Sequence, residues 1–150
     1  PIRMDRHCAN ARAVAEMLVE HPAVDRVLWP GLDAHPGHDV AKRQMRDFGG
    51  MVSFTVHGGE DRAVAVVERT ELFTLAESLG AVESLIEHPA RMTHASASGS
   101  ELAVDPALVR LSVGIETAAD LVADLAQALD TVHRPRRSSA ADGNSKASPS

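Results

Sequence analysis

Arg110 stands in the middle of an apolar run, Leu108-Val109-Arg110-Leu111-Ser112-Val113. Alternation puts Leu108, Arg110 and Ser112 on one face of a strand and Val109, Leu111 and Val113 on the other. An unpaired buried guanidinium is very costly, so Arg110 needs a carboxylate partner. That partner is either an acid of the same chain, for which Glu83 and Glu87 serve, or a ligand carboxylate held by two parallel hydrogen bonds. Composition alone favours the internal ion pair. A second feature is Glu83-Ser84 close to Gly80, an acid and a hydroxyl joined to a flexible turn; its plainer meaning is the exposed end of a strand.

Other chemistry-bearing types are weaker. His35 and His38 are three residues apart, but they sit in a Pro-Gly loop without a Cys or carboxylate at zinc spacing. They read as rings that bond backbone groups or cap the next helix. His94 reads as a structural hydrogen-bonding histidine in a polar loop. Cys8 reads as a small buried hydrophobe, since a nucleophile needs an activating base nearby. Gly49-Gly50 and Gly58-Gly59 lack the spacing of a nucleotide loop, and there is no Gly-x-Ser-x-Gly elbow.

The elements that must position these residues follow from periodicity. Residues 3–20 read as an amphipathic helix with Met4, Cys8, Ala11, Ala15 and Leu18 inward and Arg6, Asn10 and Arg12 elsewhere. It ends at His21-Pro22, because the residue before proline disfavours helix. Strands are predicted at 24–29, 51–56, 72–75, 83–87 and 108–113, and helices at 39–45, 60–70 and from Thr117 to about 130. Thr117 is a suitable N-cap. Residues 89–99 read as a loop. The order predicts an α/β sandwich, a mixed or antiparallel sheet covered by helices.

The chain has 150 residues, enough for one domain with its own core, and 44% apolar residues suit a globular protein. Aromatics are only 3%, so Val, Leu, Ile, Ala and Met must build that core. No apolar run reaches the roughly 20 residues of a membrane span. The start, PIRMDRH, lacks a signal-peptide pattern and an initiator Met, which suits a piece of something longer. A single cysteine excludes an internal disulfide and points to the cytoplasm. From Arg134 onward four Lys/Arg oppose one Asp, which leaves the tail at +3 and residues 1–133 at −9. So acidic a domain repels nucleic acid. Residues 134–150 lack the apolar surface to offset ordering entropy and are predicted disordered.

These residues also carry a resemblance. The stretch Leu75–Ala90 (LAESLGAVESLIEHPA), then Met92-Thr93-His94-Ala95-Ser96, resembles the cystathionine gamma-synthase and gamma-lyase family. So do Leu108–Glu116 (LVRLSVGIE) with its following Asp-Leu helix, Arg6–Ala11 (RHCANA), Pro30-Gly31-Leu32, His35–His38 and Phe48–Phe54. The likeness is in the same order as in the family and covers about residues 2–130. It implies the C-terminal small domain of a pyridoxal-phosphate-dependent transferase of fold type I, similar to aspartate aminotransferase. That domain has a mixed or antiparallel sheet with helices on one side. Residues 1–20 would be the end of the cofactor domain's connecting helix, 21–132 the substrate-binding domain and 133–150 the basic, Ser-rich tail.

The resemblance also assigns roles. Arg110 falls on the arginine that grips the substrate α-carboxylate, which reverses the preference drawn from composition. Ser84 falls beside the same pocket, and Glu83 on the acid at its mouth that helps to discriminate substrates. Ser78 and Thr93 fall on motif positions near the site. The implied substrates are a homoserine ester, cysteine and cystathionine, and the implied assembly is a homotetramer. Two positions depart from the family: Ala81 replaces a usual second Gly, and the loop 96–107 is short. The larger departure is the Schiff-base lysine, because Lys42 and Lys146, the chain's two lysines, match no such motif. The resemblance thus implies a cofactor of the complete enzyme and no activity in this chain alone. Rival expectations are a stand-alone amino-acid-binding or interaction module and a non-functional truncated product.

Overall fold

A computed structural model describes residues 1–93 and 103–133. The elements are α1 (Ile2–Glu20), β1 (Val24–Leu28), α2 (His38–Gln44), β2 (Met51–Val56), α3 (Glu60–Val67), β3 (Thr74–Leu75), β4 (Leu85–Glu87), α4 (Pro89–Met92), β5 (Leu108–Ser112) and α5 (Ala118–His133). The strands form one sheet in the order β1-β2-β5-β4-β3. It is mixed: β3 and β4 are parallel and the other neighbours antiparallel. The mixed sheet and the helices agree with the predicted α/β sandwich.

The core lies on one side of that sheet. Val52, Phe54 and Val56 of β2, Val109 and Leu111 of β5 and Ile86 of β4 turn inward. They meet Ala11, Val14, Ala15 and Leu18 of α1, Ala63, Val66 and Val67 of α3, and Leu121, Leu125, Ala128 and Leu129 of α5. Alternate residues of a strand face opposite ways, so packing three helices on one face leaves Ser53, Arg110, Ser112 and Glu87, with Met51 and Leu85, on the other. α1 shares this one core with the rest of the domain.

Several expectations need correcting. Asn10, placed off the inward face, is 1% exposed, whereas Met4, placed inward, is 50% exposed. Pro89–Met92, read as loop, is a helical turn with Pro at its first position, where a missing N–H costs nothing. The strands read as 72–75 and 83–87 are shorter, at Thr74–Leu75 and Leu85–Glu87. The Ala81 position does not need positive φ: no described non-glycine residue has one, and Gly80 (φ 75°) takes the left-handed conformation. Expectations for His94, for most of the loop 96–107 and for the tail 134–150 lie outside the described residues.

Candidate functional site

The face of the sheet turned away from α1, α3 and α5 carries two cross-strand rows. Ser53, Arg110 and Glu87 are register partners across β2, β5 and β4, and Met51, Ser112 and Leu85 form the next row. Arg110 therefore lies beside Glu87, and the two bond directly, Nη2 to Oε2 at 2.6 Å. Glu87 is 1% exposed and the Arg110 side chain 24%. Of the two acids offered by the sequence, Glu87 is the internal partner. The second Glu87 oxygen, Oε1, accepts from the Thr93 hydroxyl at 3.0 Å. A carboxylate this deeply buried demands such donors, because an uncompensated buried ion costs several kcal/mol.

The segment between β3 and β4 passes over this face. Arg110 Nη2 also donates to the carbonyls of Glu77 and Ser78, both at 3.3 Å. Gly80 N–H donates to Ser112 Oγ at 2.8 Å, and Arg3 Nη2 to Gly80 O at 2.7 Å. Beside it opens a cleft of about 500 Å³ whose walls include Arg3, His7, Met51, Leu79 and Ser112. Arg110 is not one of its lining residues; it lies two residues from Ser112 along the same face.

Ser84 is buried and fully engaged. Its hydroxyl donates to Glu116 Oε2 at 2.9 Å and accepts from Gly114 N–H at 2.8 Å, while its own N–H donates to Glu116 Oε1 at 2.6 Å. Its carbonyl accepts from Thr74 N–H. Glu83, next to it, is exposed and bonds no other described residue through its side chain. The five residues named from sequence thus divide. Arg110, Thr93 and the Ser78 carbonyl converge on one cluster with Glu87, whereas Ser84 and Glu83 belong to the opposite end of β4.

Sequence reasoning missed the clamp that holds that end. Asn10 Nδ2 donates to the carbonyls of Gly114 and Glu116, and His7 Nδ1–H to Val113 O at 2.6 Å, so α1 grips the turn after β5. Gly114 is required there: a Cβ would lie 2.3 Å from Val82 O and 2.4 Å from Glu116 Oε2. A polar pair three residues apart on a helix, His7 and Asn10, was the available signal.

The weaker candidates have structural partners. His35 Nδ1 accepts from Gly37 N–H, and His38 bonds Pro30 O and lies 3.3 Å from Asp33, which is the loop-stapling role the sequence suggested. Cys8 is buried, and desolvation pushes its thiol above the ordinary cysteine range, against the opposing hydrogen bond from the Gly49 backbone. A raised thiol suits packing and not attack.

The sequence model of the Cys/Met metabolism PLP-dependent enzyme family matches residues 1–130. The chain belongs to that family. It is 61% identical over 128 residues to cystathionine gamma-synthase of Mycobacterium tuberculosis, covering 85% of this chain and 33% of that protein. It is 52% identical over 132 residues to cystathionine gamma-lyase of Dictyostelium discoideum, covering 86% and 34%. The crystal structure of metB from Corynebacterium glutamicum superposes with a TM-score of 0.86 at 57% identity, covering 88% of this chain and 34% of that one. The chain spans about a third of the length of these relatives.

Family membership raises the question of the cofactor. The one described lysine, Lys42, is exposed on α2, in the connection between β1 and β2, and is not part of the Arg110 cluster. The donors on that face are a guanidinium and hydroxyls, and the Glu87 carboxylate accepts from both kinds. That set suits an amino acid's carboxylate and does not fit pyridoxal phosphate anchored through a lysine.

Proposed function

We propose that this chain is the C-terminal, substrate-binding portion of a pyridoxal-phosphate-dependent transsulfuration enzyme, most like cystathionine gamma-synthase. That enzyme replaces the acyloxy group on the γ-carbon of an O-acylhomoserine with the sulfur of cysteine, releasing the carboxylic acid. The observation that carries the reading is the state of Arg110. All its hydrogen bonds to described residues leave from Nη2, so Nε and Nη1 stay available on an open face. A guanidinium has five N–H donors in a rigid fork, enough to keep an internal acid and take a second carboxylate.

In this reading Arg110 grips the α-carboxylate, with Ser78 and Thr93 beside it and Ser84 bracing the other end of β4. The exposed Glu83 stands at the mouth, free to meet a polar or cationic part of the substrate. Such a grip orients the amino acid and thereby supplies part of the barrier reduction. The cofactor-binding lysine lies in the remainder of the enzyme, and the chain alone is inactive. The complete protein is a cytoplasmic homotetramer acting on small amino acids, without nucleic-acid or membrane partners; no described helix is long and apolar enough to cross a membrane.

The alternative is cystathionine gamma-lyase, favoured by the 52% identity to a protein of that name. The complete reading frame, purified with the cofactor, decides between them. Formation of cystathionine from an O-acylhomoserine and cysteine supports the synthase, and cleavage of cystathionine as the faster reaction supports the lyase. The chain by itself should show no internal-aldimine absorbance when given pyridoxal phosphate. A band there, or binding of amino acids by the chain at the complete enzyme's affinity, would favour a stand-alone module.

A further inference from the structure

The proposed reading asks Arg110 to hold a ligand carboxylate, yet an acid of the chain is already bonded to it. Glu87 faces Arg110 in antiparallel register, and each of its oxygens has its own donor, Arg110 on one and Thr93 on the other. A carboxylate fastened at both oxygens and 1% exposed has no room to swing. It holds the guanidinium through a single nitrogen, Nη2. Arginine side chains carry about 2 kcal/mol of rotamer entropy, which an unheld guanidinium would lose on each binding event.

We infer that Glu87 is a positioning residue for substrate recognition: it holds Arg110 so that the unfilled nitrogens face an incoming amino-acid carboxylate. The inference rests on the proposed role of Arg110 and deepens it. The Glu77 and Ser78 carbonyls are weaker holders, at 3.3 Å against 2.6 Å for Glu87. Orientation and charge make different demands here. A carboxamide at position 87 keeps an acceptor toward Nη2 and loses the negative charge. Glu87→Asp keeps the charge and withdraws it by one methylene.

The test uses the complete enzyme carrying this chain, with two competitive inhibitors that differ only in an α-carboxylate or an α-carboxamide. The ratio of their inhibition constants reports carboxylate recognition, independent of how much protein folds. Arg110→Ala should collapse the ratio. Glu87→Ala and Glu87→Asp should each reduce it about tenfold, equivalent to about 1.4 kcal/mol. Glu87→Gln should keep it within about threefold of wild type. If Glu87→Ala does not fold, Glu87→Asp carries the test. A wild-type ratio in Glu87→Asp, alongside collapse in Arg110→Ala, overturns the inference and leaves the role of Arg110 standing. A loss in Glu87→Gln as large as in Glu87→Ala assigns the effect to charge and also overturns it. An unchanged ratio in Arg110→Ala removes the proposed site itself.

Discussion

The two faces of the sheet use the same three strands for opposite purposes. On the covered face Val52, Phe54, Val109, Leu111 and Ile86 are all completely buried beneath α1, α3 and α5. On the other face, one residue further along each strand, stand Ser53, Arg110, Ser112 and Glu87. The covered face is held by apolar area, at roughly 25 cal/mol per Å². The open face is held by few, directional, charged contacts. Area-based packing tolerates a swap of similar volume, whereas a buried ion pair fails when either member is lost.

Substitutions can break this contrast. The largest effect is expected for Arg110→Ala in the complete enzyme. It strands Glu87 in the interior, a loss of about 3–5 kcal/mol in stability, and removes about 2–5 kcal/mol of carboxylate binding. Thermal unfolding and kcat/KM measure the two separately. The double variant Arg110→Ala with Glu87→Ala should regain much of the stability and none of the binding. Arg110→Lys should also impair binding, because an ammonium lacks the two-pronged fork. Recovery of kcat/KM in the double variant would break the proposed division of labour.

Leu111→Ala, one residue away on the covered face, should cost about 2–5 kcal/mol of stability with KM unchanged in the folded fraction. Denaturant unfolding together with steady-state kinetics checks this. Ser84→Ala should cost less, about 1–3 kcal/mol, because Gly114 N–H loses its acceptor and Glu116 one of its donors. A KM change larger than the stability loss explains would move Ser84 from the clamp to the substrate.

The smallest effect concerns Glu60. The hydrogen bond from Arg91, and then its charge, hold the Glu60 carboxyl below the ordinary glutamate range. A depressed folded-state value means stability that is present above the unfolded value of about 4.5 and lost as pH falls through the folded one. Glu60→Gln should remove that increment of acid sensitivity and leave Tm near neutrality almost unchanged, since exposed pairs contribute little. An acid unfolding curve superposable on the unsubstituted protein's would discount the pair.

Particular residues show how far the sequence could be read. The alternation in β2 and β5 was legible because a period of two admits only two assignments, and apolar content chooses between them. The ends of α1 and α5 were legible from Pro22 and Thr117. Asn10 was misplaced because polarity argues for solvent, while its acceptors at Gly114 and Glu116 are more than a hundred residues away. The turn at Pro89–Met92 was missed because a single turn has no periodicity to detect. Glu83 and Glu87 could not be separated as partners of Arg110, since both stand near one strand and only the register of β4 against β5 selects Glu87.

By itself, then, the sequence determined which residues could be buried, which strands alternate, and that Arg110 must find an anion. It also carried the family likeness, since motif order needs no coordinates. The tertiary structure decided which acid Arg110 meets, which hydroxyls converge with it and which glycine the turn cannot replace. The reason is that hydrophobic pattern is a local property of the chain, whereas an ion pair or a clamp depends on distances between segments brought together only when the sheet closes.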